Sequence, residues 1–189
     1  MIDKRRVFIG SVQTAQLGDV WVAFSERGLI AVEFGVCRDE FAASLRKQIS
    51  AQVEYEAGDD IPDVEAVKRQ LAEYLAGERR EFKLRIDWSV LRSDFQRMAL
   101  KAVLAIPYGE TRTYGEIAAQ IGSPQAPRAV GRANATNPMP LVIPCHRVVG
   151  SDGKLHGYGG LGGLKTKQWL LDLENRKGAQ HAETKHQPC

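Results

Sequence analysis

The stretch Thr113-Tyr114-Gly115-Glu116-Ile117-Ala118-Ala119-Gln120-Ile121-Gly122-Ser123-Pro124-Gln125-Ala126-Pro127-Arg128-Ala129-Val130-Gly131-Arg132-Ala133-Asn134-Ala135 decides the architecture of the second half of the chain. Thr113 and Glu116 have capping-box spacing, so a helix opens there and closes at Gly122. Ser123 to Pro127 form a turn, and Pro127 starts the next helix, Arg128 to Ala135, where its missing N–H costs nothing. Two short helices joined this way predict a helix-turn-helix, or an αα-hairpin of any helical domain. The second helix offers Ala129, Gly131, Ala133 and Ala135 but few long amides or acids, so it is poorly equipped to read major-groove edges. A smooth helix can instead approach a narrow minor groove. Arg128 and Arg132 then stand out as probes, Arg128 at the helix start being able to reach into a base stack.

Upstream, Ser93 and Gln96 form a second capping box opening a helix through about Leu104, ended by Ile106-Pro107-Tyr108-Gly109. Downstream, a last helix is expected from Leu164 to Glu174, followed by a polar tail. The first half reads as mixed α/β. Val20–Phe24 and Leu29–Phe34 are β-rich runs around Ser25-Glu26-Arg27-Gly28, a hairpin signal with Gly28 free to take a positive φ. Phe41, Leu45 and Ile49 predict a short helix, Val53 and Tyr55 a short strand, and Val64, Val67, Leu71, Tyr74 and Leu75 a second helix stopped by Gly77. Phe82, Leu84 and Ile86 alternate with polar residues as in a half-buried strand. The expected organisation is a small α/β domain over 1–90, a mostly helical, winged-helix-like domain over 91–176, and a disordered tail over 177–189.

The 189 residues are 43% hydrophobic and 26% charged, a composition able to bury a core. No apolar run approaches a membrane span, and Met1-Ile2-Asp3-Lys4-Arg5-Arg6 leads into no signal-type stretch, so a cytoplasmic protein without membrane partners is expected. Cys37, Cys145 and Cys189 are odd in number and widely spaced, which argues for free thiols. The histidines, His146, His156, His181 and His186, show no metal-ligand spacing, so neither metal nor cofactor is expected. Charge is divided unevenly. Residues 1–90 carry 13 Lys and Arg against 16 Asp and Glu, whereas residues 91–189 carry 13 against 7, net +6. That excess suits phosphate, although a solvated basic surface explains it as well.

Leu141-Val142-Ile143-Pro144-Cys145-His146-Arg147-Val148-Val149-Gly150 is the strongest local feature, two apolar runs bracketing a polar triplet. A thiol attacks carbon as thiolate, and an adjacent histidine, the charge of Arg147 or a helix dipole can favour that form. Sequence neighbours seldom face each other, so His146 would take the proton through a bridging water. A carboxylate is wanted to orient the imidazole; Glu174 is one of several acids available. Gly157-x-Gly159-x-x-Gly162 matches a dinucleotide fingerprint, but no apolar strand precedes it and only 27 residues follow, so a ligand-approaching loop is the better reading.

Ile143-Pro144-Cys145-His146-Arg147-Val148-Val149 resembles the active-site signature of the O6-alkylguanine-DNA alkyltransferases. Ile106-Pro107-x-Gly109-x-Thr111-x-Thr113-Tyr114-Gly115, Arg128-Ala129-Val130-Gly131 and Asn137-Pro138 fit the family pattern in the same order. The resemblance implies a ribonuclease H-like first domain. It makes Cys145 the alkyl acceptor, His146 its water-mediated base, Glu174 the carboxylate holding His146, and Tyr114 the donor toward guanine N3. Val148, Tyr158, Gly159 and Gly160 would line the guanine pocket, and Asn137 would brace the turn between the second helix and the site. Arg128 would replace the extruded nucleotide, with Thr113, Ala129, Gly131, Arg132 and Ser151 also meeting DNA. The implied partner is double-stranded DNA containing O6-alkylguanine, and a monomer is expected when the protein is free. The loop Gly159 to Gly163 is about two residues longer than usual for the family.

A competing reading is a non-catalytic helix-turn-helix regulator with a structural or redox-sensing cysteine, against which the small-residue helix argues. A thiol hydrolase would place its histidine far from the cysteine in sequence, and no histidine precedes residue 145.

Overall fold

In the computed structural model the described residues are 5–49, 53–57, 61–159 and 162–183. They divide into two compact units, Met1–Arg97 with Pro138–Val142, and Met98–Asn137 with Ile143–Cys189. The division thus falls inside a helix, a few residues after the expected boundary at 90, and the segment 138–142 joins the first unit.

The first unit is built on a sheet of order β3-β2-β1-β4. β1 (Arg5–Thr14) pairs antiparallel with β2 (Gly18–Ser25), which pairs antiparallel with β3 (Gly28–Phe34); β4 (Val53–Ala57) runs parallel to β1. The sequence reading missed β1. Its apolar alternation is short, Val7 and Ile9 giving way to Ser11, Gln13 and Thr14, and the strand is fixed by cross-strand pairing from Phe8↔Phe24 to Thr14↔Gly18. Helix α1 (Arg38–Gln48) buries Phe41 and Leu45, and Trp21 stacks on Phe41 with ring centroids 6.2 Å apart. Val20 and Val22, which flank Trp21, point to the opposite sheet face. Helix α2 (Pro62–Leu75) buries Val64, Val67, Leu71, Tyr74 and Leu75 and packs on β1 and β2.

Residues 82–86 do not form the expected strand. A single bridge joins Ile86 to Leu29, with Leu29 N donating to Arg85 O and Asp87 N to Leu29 O. The Gln70 side chain takes up both polar groups of Lys83, accepting from its N–H at 2.7 Å and donating to its carbonyl at 3.2 Å, which leaves no ladder to extend. Val32 N donates to Pro138 O at 2.9 Å, so two irregular segments cover the open edge of β3 and protect it from pairing with another chain.

In the second unit, α3 (Asp94–Leu104) opens on Ser93, whose hydroxyl accepts from Gln96 N. Gln96 returns its side chain to Arg92 N, one residue earlier than a capping box requires. β5 (Arg112–Thr113) leads into α4 (Tyr114–Gln120), where the Thr113–Glu116 box is complete in both directions. α5 (Pro127–Ala135) follows, then a single 3₁₀ turn at Cys145–Arg147 and β6 (Val148–Val149), parallel to β5. The last helix, α6 (Leu164–Glu183), runs past Glu174 into the expected tail. Asn175 to Glu183 contain no proline and several good helix formers, so nothing stops the helix. Among the described residues no helix is long and apolar enough to cross a membrane, and no three His, Cys, Asp or Glu side chains are grouped to hold a metal.

Gly28 fixes the β2–β3 turn. It has φ +138°, and a Cβ placed on it would lie 2.5 Å from Arg85 O. Gly28→Ala is expected to lower stability by about 2–4 kcal/mol through backbone strain and this clash, measured by urea unfolding. A loss below about 0.5 kcal/mol, the level of an ordinary surface change, would show that the 82–86 segment yields freely.

Candidate active site

The segment leading to the thiol is held by one carbonyl. Pro144 at φ −79° and ψ 64° makes an inverse γ-turn in which Cys145 N donates to Ile143 O at 2.8 Å. The Asn137 side-chain amide donates to the same oxygen at 2.8 Å. Proline presets the φ of this turn, so the thiol position is determined before any side chain contributes. Cys145 is 7% exposed, and burial raises its thiol pKa. Three effects oppose that rise: a hydrogen bond from Asn137, the positive charge of Lys167, and the backbone N–H groups of Cys145 and His146.

Lys167 is the cation facing the thiol, and the sequence reading missed it. Its ammonium is buried and donates to Val148 O at 2.6 Å and His156 O at 3.0 Å, 6.0 Å from the Tyr114 ring centre. A signal was present. Lys167, Leu170, Leu171 and Glu174 recur at i, i+3, i+4 and i+7 on α6, and all four are buried, so a lysine occupies an apolar stripe. Arg147, expected to polarise the thiol, is turned elsewhere. Its guanidinium donates Nε to Glu174 Oε2 and Nη2 to Oε1, both at 2.9 Å, and Nη1 to Ile106 O at 2.6 Å. It also lies 5.7 Å over the Tyr108 ring.

Glu174 holds further partners besides Arg147. Its Oε1 lies 2.9 Å from His146 Nε2, and its Oε2 also accepts from Gly109 N at 2.9 Å. Burial alone would raise this carboxyl, but the bonds from His146 and Arg147 outweigh it and bring its pKa down to about 2. His146 is wholly buried, and burial lowers its pKa although Glu174 works in the opposite direction. The pair rests as neutral imidazole and carboxylate.

Tyr114, at the start of α4, reaches His156 O with its hydroxyl at 3.4 Å, a long contact that is easily exchanged. Burial and the Cys145 charge raise its pKa, so it stays protonated. The Tyr158 hydroxyl is buried and its pKa stands well above the usual value for the same two reasons. A Cβ on Gly159 would sit 3.5 Å from Ala135 O; Gly160 lies outside the described residues. Cys145, His146, Glu174, Tyr114, Tyr158, Asn137 and Val148 are thus brought together. Arg128, Ala129, Arg132 and Ser151 are exposed, Thr113 uses its hydroxyl to cap α4, and Gly131 is half-buried, a Cβ on it lying 3.8 Å from the Tyr114 ring.

A helix-turn-helix domain enclosing a thiol, an imidazole–carboxylate pair and a buried ammonium defines a class of DNA-associated proteins with a cysteine nucleophile. Residues 94–176 match the family model of the 6-O-methylguanine DNA methyltransferase DNA binding domain, and residues 11–88 match that of its ribonuclease-like domain. The methylated-DNA--protein-cysteine methyltransferase of Mycolicibacterium paratuberculosis is 58% identical over 107 residues, 57% of this chain; the matched stretch spans 62% of that relative's length. The constitutive methyltransferase of Bacillus subtilis is 45% identical over 115 residues, covering 61% of this chain and 68% of its own. The crystal structure of Mycobacterium tuberculosis OGT in complex with DNA superposes with a TM-score of 0.70 at 38% identity, covering 89% of this chain and 92% of that one. The chain belongs to the 6-O-methylguanine DNA methyltransferase family.

The two shifted pKa values give a pH dependence of defined sign. Both favour the deprotonated group in the fold, so stability is complete above the unfolded histidine value of 6.5 and falls as acid protonates the unfolded chain first. A steeper loss, on the order of 3 kcal/mol, is expected between pH 4.5 and about 2, where Glu174 titrates. Urea melts across this range should show it, and Glu174→Gln should flatten the limb below pH 4.5. An unchanged slope in that variant would assign the acid sensitivity to other carboxylates.

Proposed function

We propose that this protein, cytoplasmic and monomeric when free, repairs O6-alkylguanine in double-stranded DNA by moving the alkyl group onto its own Cys145 once per molecule. The observation that carries this reading is the buried Cys145 thiol, bonded by Asn137 and faced by Lys167, beside a neutral His146 anchored on Glu174. An alkyl group on O6 lies inside the duplex where no thiolate can approach in line, so the nucleotide must rotate out, at a cost of a few kcal/mol that a weakly paired damaged base reduces. Arg128, exposed in the first turn of α5, fills the gap. Thr113, Ala129, Arg132 and Ser151 meet the DNA around it.

His146 takes the Cys145 proton through a water, and the thiolate attacks the sp³ carbon. A carbon–sulfur bond forms as the carbon–O6 bond breaks, and its electron pair leaves on guanine. Tyr114 gives its hydroxyl proton toward N3 and is reprotonated by the proton that left Cys145, so thiol plus alkylguanine become thioether plus guanine. The Tyr114 hydroxyl costs little to redirect because its contact with His156 O is long. Developing negative charge in a site poor in water makes one fixed donor worth several kcal/mol. A thioether is a poor leaving group, so the protein does not turn over.

Intact-mass analysis after mixing with duplex carrying O6-methylguanine should show one methyl, located on Cys145, and Cys145→Ala should bind DNA but take none. Methyl on Cys37, or several methyls transferred per protein, would overturn the reading. Arg128→Ala should slow transfer from the duplex far more than transfer from free O6-benzylguanine, because only the duplex has a gap to fill. Equal slowing on both would place Arg128 in the pocket or the fold.

A further inference from the structure

The segment that follows α3, Ile106-Pro107-Tyr108-Gly109, meets the buried pair of Arg147 and Glu174 at three points. Ile106 O accepts from Arg147 Nη1 at 2.6 Å, the guanidinium carbon lies 5.7 Å over the centre of the Tyr108 ring, and Gly109 N donates to Glu174 Oε2 at 2.9 Å. Gly109 makes its bond from φ +77°, a conformation that a residue with a side chain rarely adopts. The Tyr108 hydroxyl also reaches Leu173 O on α6, at 3.4 Å. One short segment thus takes hold of both charges.

The Arg147 side chain is 7% exposed and that of Glu174 0%. Hydrogen bonds occupy the edges of a guanidinium and leave its flat sides to be covered by other atoms, a task that suits an aromatic ring. A ring also attracts a cation within about 6 Å of its centre. Tyr108 is itself half-buried, so it stands between the pair and solvent.

What this cover protects is the state of His146. Arg147 Nη2 and His146 Nε2 share Glu174 Oε1, both at 2.9 Å, so the arginine limits what the carboxylate can give the imidazole. Of the charged groups that face the imidazole, Glu174 from α6 favours its protonation, while Arg147 from its own turn and Lys167 from α6 oppose it; Cys145 is its neighbour in the turn. Burial opposes protonation most. Loosening Arg147 and admitting water therefore act in one direction, toward imidazolium. An imidazolium cannot take the Cys145 proton.

We propose that Tyr108 is a positioning residue of the transfer reaction, its ring holding Arg147 on Glu174 and closing the pair to water, and so preserving His146 as an uncharged base. The proposal rests on the alkyl-transfer reading above and adds a residue that acts through Arg147 rather than on the substrate.

The test is single-turnover transfer to Cys145 from duplex carrying O6-methylguanine, followed by intact mass between about pH 5 and 8, the range in which histidine titrates. Tyr108→Leu should move the acid limb of the rate upward by roughly half a pH unit or more, which is about threefold in rate on that limb. The plateau rate above the limb and the half-saturating duplex concentration should stay as in the unsubstituted protein. Tyr108→Phe keeps the ring and should keep the limb in place. Should Tyr108→Leu fail to fold, Tyr108→Met gives the same comparison. An unmoved limb in the variant without the ring, an equal shift in Tyr108→Phe, slowing by one factor at every pH, or a changed half-saturating concentration would overturn the role of Tyr108 while leaving alkyl transfer intact. No methyl on Cys145 of the unsubstituted protein would overturn the transfer reading, and this one with it.

Discussion

The carboxylate of Glu174 keeps a full negative charge where solvent does not reach, and the geometry of the thiol turn follows from how that charge is held. Arg147 grips both oxygens, Gly109 N adds a third donor, and His146 completes the set. Removing one member of a buried ion pair costs about 3–5 kcal/mol because the other is left uncompensated, so the cluster tolerates little change. Arg147 is bound at the same time to Ile106 O, and thereby ties α6 and the end of α3 to the 3₁₀ turn that carries Cys145. The arginine and the histidine, adjacent in sequence, are pulled to one carboxylate, which leaves the thiol on the other side of the turn with Asn137 and Lys167.

This division of charge separates two tasks that a single cation could not perform together. Arg147 satisfies a carboxylate and cannot also lower the thiol; Lys167, whose own partners are two neutral carbonyls, retains its field for the sulfur. The imidazole between them stays uncharged because burial outweighs its carboxylate partner. An uncharged imidazole can accept a proton, and an imidazolium held permanently by Glu174 could not.

Features determined by a few adjacent residues were legible in the sequence. The Thr113–Glu116 box, the Pro127 helix start and the Gly28 turn need only local chemistry, and each is found where the spacing puts it. The thiol and its histidine were legible because apolar runs bracket them. Glu174 lies 28 residues from His146, and only the family resemblance singled it out. Arg147 was assigned to the wrong neighbour for the same reason: which group an arginine meets depends on a helix that arrives much later. β1 escaped notice because its pairing with β2, not its own pattern, makes it a strand. Lys167 could have been found by asking which polar residue interrupts an apolar face.

Lys167 also bears on what becomes of the molecule afterwards. While the sulfur is anionic, the buried ammonium has a counter-charge within its field. A thioether is neutral. On the proposed transfer, the alkylated chain would hold that ammonium with carbonyl dipoles as its company and no sulfur able to ionise beside it, and taking a charge out of water without a counter-charge is costly. The resting thiol and the thioether are both neutral, so the used protein would differ from the fresh one in the added alkyl group and in a sulfur that can no longer supply the ammonium with a counter-charge.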